Sequence, residues 1–194
     1  LEFTLNVLAR MIDFSIHEVL VFLDGCTDDS LVLKEKMKWV QWFSTEKSMG
    51  ASAARHYLYP KAQSQFLIGL DDDAHPLNSN FIEQTIILFE NNPNVGVLAF
   101  QEIKGIFNSD AELLNKLENQ IEEYYTNEFI GCGFSIRKDV YDKTNGFPVT
   151  TAFTVIPLAF EYSSINQAIS RGPVPISGAG ISLSGPKISS IEIV

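Results

Sequence analysis

Glu18-Val19-Leu20-Val21-Phe22-Leu23-Asp24-Gly25 is the stretch on which the fold turns. Five consecutive apolar side chains leave it no polar face, the pattern of a strand buried on both sides within a parallel sheet. It stops at an acid and a glycine. Thr27-Asp28-Asp29-Ser30 then supplies helix N-cap residue types, and the spacing predicts a helix over residues 31–43, with Trp39 and Trp42 as packing residues on it. Upstream, apolar residues at Phe3, Val7, Leu8, Met11 and Ile12 predict a helix over 2–14 with one buried stripe.

The same unit recurs downstream. Met49-Gly50-Ala51-Ser52-Ala53-Ala54-Arg55 predicts a small-residue helix, and Gln65-Phe66-Leu67-Ile68-Gly69-Leu70 a second buried strand that runs directly into Asp71-Asp72-Asp73. Pro76 punctuates the turn, Asn80 is placed to cap a helix over 81–92, and Val95 to Phe100 reads as a third strand. Short buried strands alternating with helices specify a right-handed parallel α/β layer structure. A longer helix is expected over 109–129, with Leu113, Leu117, Ile121, Tyr124 and Tyr125 on one side. Beyond it, glycine, proline and serine punctuation predicts loops around a site. Neither a repeat nor a linker interrupts the chain, so one domain over 1–194 is expected.

Composition removes several function classes. With 14 Lys+Arg against 24 Asp+Glu, the net charge of −10 lacks the cationic footprint that a phosphate backbone requires, so no nucleic-acid partner is expected. Cys26 and Cys132 stand far apart and outside zinc or CxxC spacing, which fits a reduced setting. The longest apolar stretch, Ala152 to Phe160, falls far short of the roughly 20 residues that cross a bilayer, so no transmembrane segment is expected. A cytoplasmic location follows, compatible with a peripheral seat at the inner membrane face. The chain opens on Leu1 without a signal-peptide layout and reads as a fragment.

The chemistry concentrates at the strand ends. Three successive carboxylates repel one another unless a cation is shared, and such oxygen donors suit Mg²⁺ or Mn²⁺, which in turn bind phosphates. Asp24, at the end of the earlier strand, places a further carboxylate on the same rim if the two strands are neighbours. In open parallel sheets this carboxyl edge is where ligands bind. His75 reads as a turn residue outside the metal set, and Cys132, between Gly131 and Gly133, as a small packed residue.

Four motifs in order resemble the family 2 glycosyltransferases of the GT-A fold. VLVFLDGCTDDS is similar to that family's strand and acidic loop, and GASAARHYLYPKAQSQFLIGLDDDAHP to its small-residue helix, Arg and D-x-D element. FIGCGFSIRKDVYDKTNGFP resembles its Gly-rich acceptor-side segment, and FEYSSINQAISRG sits where its acidic pair and following helix stand. The resemblance covers nearly the whole chain. It implies a Rossmann-like, mostly parallel sheet flanked by helices.

It also implies roles. Asp24 would contact the base or ribose of a nucleotide-sugar donor (UDP-, GDP- or dTDP-sugar), with Arg55 near the base and Asp71 and Asp72 at the donor. Asp71 and Asp73 would be the D-x-D pair holding Mg²⁺ or Mn²⁺, with Asp73 the better candidate for direct contact. Glu161 would be the general base that takes a proton from the hydroxyl of a sugar or lipid-linked acceptor, in a single inverting displacement of the kind used in polysaccharide biosynthesis. The sequence departs from the family pattern at Leu23, Cys26, His56 and Phe160, has no late His after Gly172, and shows no counterpart of the family's first strand ahead of Leu1. These departures keep open a nucleotide-sugar-binding module without turnover. A sugar nucleotidyltransferase is a further alternative, although no Gly-rich basic triphosphate loop is visible.

Overall fold

The structure is a computed structural model. It describes residues 1–100, 109–112, 131–144, 146–147 and 189–193. Among the described residues, six strands form one sheet in the order β2-β1-β6-β3-β5-β4. The expected apolar runs supply its middle: β1 is His17–Asp24 and β3 is Phe66–Leu70, the latter buried throughout. Strands β2 (Gln41–Thr45), β1, β6 (Ser189–Ile193) and β3 run parallel, whereas β5 (Gly133–Arg137) is antiparallel to both β3 and the edge strand β4 (Val97–Ala99). The expected mostly parallel sheet is therefore present.

Its central strand was not foreseen. β6 lies between β1 and β3, with Ile191 opposite Val19 on one side and Ile68 on the other. Ile191 and Ile193 are completely buried. Asp24 and the 71–73 cluster are thus on strand ends that flank a third strand, rather than on neighbouring strands. A serine pair followed by a short Ile-Glu-Ile alternation carries too little local signal to reveal such a place.

A second correction concerns residues 31–43. Asp28 accepts a bond from the amide of Ser30, 3.0 Å, and caps a 3-10 turn over Asp29–Val32, so the capping residues act as read. The helix that follows, α2, is only Leu33–Lys36 and stops at Met37 (φ −114°, ψ 72°). Gln41–Thr45 then pairs with β1, Trp42 opposite Val21. Trp42 is therefore a strand residue whose indole N–H bonds the Met37 carbonyl, and Trp39 stacks against Phe14 at 4.7 Å. The Lys-Glu-Lys run keeps its helix, but Gln41–Thr45 lies beside an open edge of β1 and takes the strand that this pairing offers.

The leading helix α1 is shorter than expected, Glu2–Leu8, and Phe3 is 63% exposed, packing edge-on against His75 rather than in the core. Val7, Leu8 and Ile12 of the expected stripe are buried, and Leu5, Leu8 and Ile12 lie in one cluster with Val19, Val21, Ile68, Ile191 and Ile193. Helix α3 (Ala51–Leu58) covers the opposite face, where Ala54 and Leu58 meet Leu20, Phe22, Leu67 and Phe134. Gly69 is needed in β3 because a Cβ there would collide with the Tyr59 hydroxyl and the Phe134 ring. Helix α4 is Phe81–Asn91; Asn80 precedes it but makes no side-chain cap.

The 131–144 region is more regular than the loops expected of it, since β5 is followed directly by helix α5 (Lys138–Lys143). Residues 110–112 are helical, while the rest of the helix expected over 109–129, Tyr124, Tyr125 and Glu161 lie outside the described residues. Among the described residues no helix is long and apolar enough to cross a membrane.

Candidate functional site

The carboxyl ends of β1 and β3 open onto one rim, and each presents its acids differently. At the end of β1, Asp24 is enclosed by donors from the last residue of β2 and the segment that follows it. Its Oδ1 accepts from the Met49 amide at 2.7 Å and the Thr45 hydroxyl at 3.4 Å. Its Oδ2 accepts from the Ser48 hydroxyl at 2.7 Å and the Gly50 amide at 2.8 Å. Partial burial pushes this carboxyl up, but the Met49 amide, the Ser48 hydroxyl, the Gly50 amide and the Thr45 hydroxyl together outweigh it and hold the group below its ordinary value. Gly25 adopts φ +68°, and a Cβ there would collide with the Ser48 backbone nitrogen, so the 46–50 segment rests directly on the turn after β1.

At the end of β3 the first acid is paired. The Arg55 guanidinium, 8% exposed, reaches from α3 to Asp71 Oδ1 at 2.5 Å and to the Gly131 carbonyl at 3.0 Å, with the Phe134 ring 5.8 Å from its centre. Its Nε is buried without a partner among the described residues. The Asp71 amide bonds the Cys132 carbonyl at 3.3 Å, which ties the acidic turn to the Gly131-Cys132-Gly133 segment. Asp72 and Asp73 are exposed, and the turn is anchored from the other side by the Thr4 hydroxyl, which donates to the Asp72 carbonyl at 2.8 Å.

Cys26 links the two ends. Burial pushes its thiol up, and the charges of Asp28, Asp24 and Asp72 push it further. Acids from both loops therefore lie within electrostatic reach of one sulfur. The structure brings Asp24, Arg55, Asp71, Asp72 and Asp73 to one edge of the sheet; Glu161 is outside the described residues.

Among the described residues, no three His, Cys, Asp or Glu side chains gather as a ready-made cation site. The donor set available is Asp71, whose Oδ1 is partnered by Arg55, and the exposed Asp73, with the exposed Asp72 between them. That fits the way Mg²⁺ is held, through one or two carboxylates with the remaining positions left to water and substrate phosphates. Residues that sequence reasoning missed are Thr45, Ser48, Met49 and Gly50, whose donors reach Asp24. Their only signal was the small-residue run Ser48-Met49-Gly50-Ala51 ahead of a helix.

The model of glycosyl transferase family 2 matches residues 1–145. An uncharacterized protein of Haemophilus influenzae is 34% identical over 113 residues, covering 55% of this chain and 60% of that protein. Among solved structures, that of S. aureus TarS 1-349 superposes with a TM-score of 0.55 at 20% identity, over 75% of this chain and 45% of that one. The chain thus spans less than two thirds of the length of either relative. The structural likeness bears on the fold, a mostly parallel GT-A sheet flanked by helices.

Proposed function

This chain belongs to glycosyl transferase family 2, and from that premise we propose that it transfers a sugar from a nucleotide-sugar donor to an acceptor hydroxyl at the carboxyl edge of β1 and β3. The observation that carries this reading is the buried Arg55 paired with Asp71 beside the exposed Asp72 and Asp73. A nucleoside diphosphate brings two phosphates, and this edge offers a guanidinium for one charge and carboxylates for a shared cation.

In this reading Asp71 and Asp73 would hold Mg²⁺ or Mn²⁺, which would supply neutralisation of the departing diphosphate's charge. Arg55 orients the donor, and Asp72 lines it. Glu161 takes the acceptor proton as the new bond forms, which is required because a sugar hydroxyl is a poor nucleophile. Attack and departure on opposite faces then invert the anomeric centre. UDP-, GDP- and dTDP-sugars are the candidate donors, and a sugar or lipid-linked sugar is the candidate acceptor. The reading treats 1–194 as one catalytic domain.

The test is a melting-temperature and turnover pair. UDP-, GDP- or dTDP-sugar with Mn²⁺ raises the melting temperature, and addition of acceptor releases nucleoside diphosphate; Glu161→Gln keeps the first and loses the second. Stabilisation without any acceptor-dependent release from the native chain would instead identify a binding module. No stabilisation by any of the three donors would reject the donor site.

A further inference from the structure

The acidic turn at the end of β3 is closed by a bond from the Ala74 amide to the Asp71 carbonyl at 3.1 Å, which makes Asp72 and Asp73 its two central residues. In a turn of this kind the central peptide is the movable part. Turning it over interconverts the two common turn types and takes the third residue, here Asp73, between negative and positive φ. Aspartate is among the residues that tolerate positive φ, so residue type alone does not prevent the flip. The carbonyl of that peptide belongs to Asp72, and it accepts the Thr4 hydroxyl at 2.8 Å from 68 residues upstream. Thr4 is 1% exposed, so water has little access to take its place. A helical threonine can return its hydroxyl to a carbonyl of its own helix; this one reaches across to the turn.

The frame that holds Thr4 is well packed. Its neighbour Leu5 and, one turn on, Leu8 are completely buried, in one cluster with Ile68 and Leu70 of the strand that ends at the turn. On the other side of Thr4, the Phe3 ring lies edge-on to His75 at 5.1 Å. Consecutive residues of α1 thus touch the turn and the segment just beyond it. We infer that Thr4 is a positioning residue: its hydroxyl stops the Asp72–Asp73 peptide from turning over, and so fixes the direction in which Asp73 presents its carboxylate. The consequence for a cation rests on the donor-site reading above; the hold of Thr4 on the turn does not.

The experiment has two arms, both on the full chain. In the first, without ligand, NMR follows the Asp72 carbonyl carbon and the coupling between the Asp73 amide and Hα protons, which reports φ at Asp73. Thr4→Val keeps the shape and removes the donor, whereas Thr4→Ser keeps the donor; should Thr4→Val not fold, Thr4→Ala against Thr4→Ser makes the same comparison. The expected result is a displaced carbonyl signal with a changed Asp73 coupling wherever the hydroxyl is lost, and native values in Thr4→Ser. An unchanged Asp73 coupling without the hydroxyl overturns the inference, because the turn would then hold itself.

In the second arm, electron paramagnetic resonance measures free Mn²⁺ in titrations with UDP, GDP and dTDP. Loss of the hydroxyl weakens Mn²⁺ binding about tenfold, the low end of what groups behind a metal ligand contribute, and Thr4→Ser retains the native affinity. Val7→Ala is the control, since Val7 is buried in the same helix and its side chain carries no donor; it lowers the melting temperature and leaves Mn²⁺ affinity unchanged. Native Mn²⁺ affinity without the hydroxyl, or an equal loss in Val7→Ala, overturns the inference. If the native chain takes up no Mn²⁺ with any of the three nucleotides, the donor-site reading fails while the first arm still decides whether Thr4 holds the turn.

Discussion

The two ends of the parallel sheet handle buried charge in opposite ways. At the amino end, Glu18 is 6% exposed and accepts bonds from the Gln41 side chain at 2.9 Å and the Gln63 amide at 2.7 Å. Nearby on β5, Arg137 donates to the carbonyls of Phe89, Asn92 and Val95, closing the end of α4, while its guanidinium lies over the Phe66 and Phe89 rings. Each ion there is served by neutral groups of its own surroundings. At the carboxyl end, Arg55 keeps an unpartnered Nε among the described residues, and Asp72 and Asp73 stand exposed. Charge is consumed structurally at the amino end; at the carboxyl end Asp24 is consumed in the same way, but Asp72 and Asp73 are left available, and availability is what a ligand requires.

That contrast can be broken in four places. Arg137→Ala removes bonds to three carbonyls and both ring contacts, and should lower unfolding free energy by about 3 kcal/mol in urea titration. Pyrophosphate affinity in the folded variant should be unchanged; a matching affinity loss would show that the two ends are coupled. Asp73→Ala should do the reverse, leaving stability within about 0.5 kcal/mol as expected of an exposed site. It should weaken Mn²⁺-dependent UDP binding at least about a hundredfold, since even outer-shell partners of a metal ligand carry roughly 10- to 100-fold. Retained Mn²⁺-dependent affinity would remove Asp73 from the metal site.

Glu18→Ala orphans the Gln63 amide and the Gln41 side chain, and should cost about 2 kcal/mol with no change in ligand affinity. The smallest effect is on pH. The Asp24 carboxyl is held below its ordinary value, so its contribution to stability is full above the unfolded-state value near 3.8 and is lost as pH falls through the lower, folded-state value. Asp24→Asn should therefore flatten the acid limb of the stability curve below about pH 4; an unchanged limb would mean other carboxylates dominate it.

Much of this arrangement was legible before any coordinates. Strands β1 and β3 announced themselves because a strand buried on both faces must be apolar at nearly every position, and their acidic ends followed directly. Helix α3 was visible in its small residues. What stayed hidden is what depends on partners distant in sequence. Gln41–Thr45 became a strand because β1 offered an edge, although Lys34 to Met37 locally favours helix. Ser189–Ile193 has no marked pattern of its own and owes its place to two flanking strands. Arg137 is one basic residue in a mixed segment, and its cap on α4 is apparent only when β5 lies beside that helix. The full set of bonds on Asp24 was equally invisible, because its donors come from a loop more than twenty residues away.

The place of β6 also bears on how the sheet comes apart. Because Ile191 sits opposite Val19 on one side and Ile68 on the other, detachment of residues 189–193 would bare two apolar strand edges at once. A single short strand thus guards both halves of the sheet against aggregation.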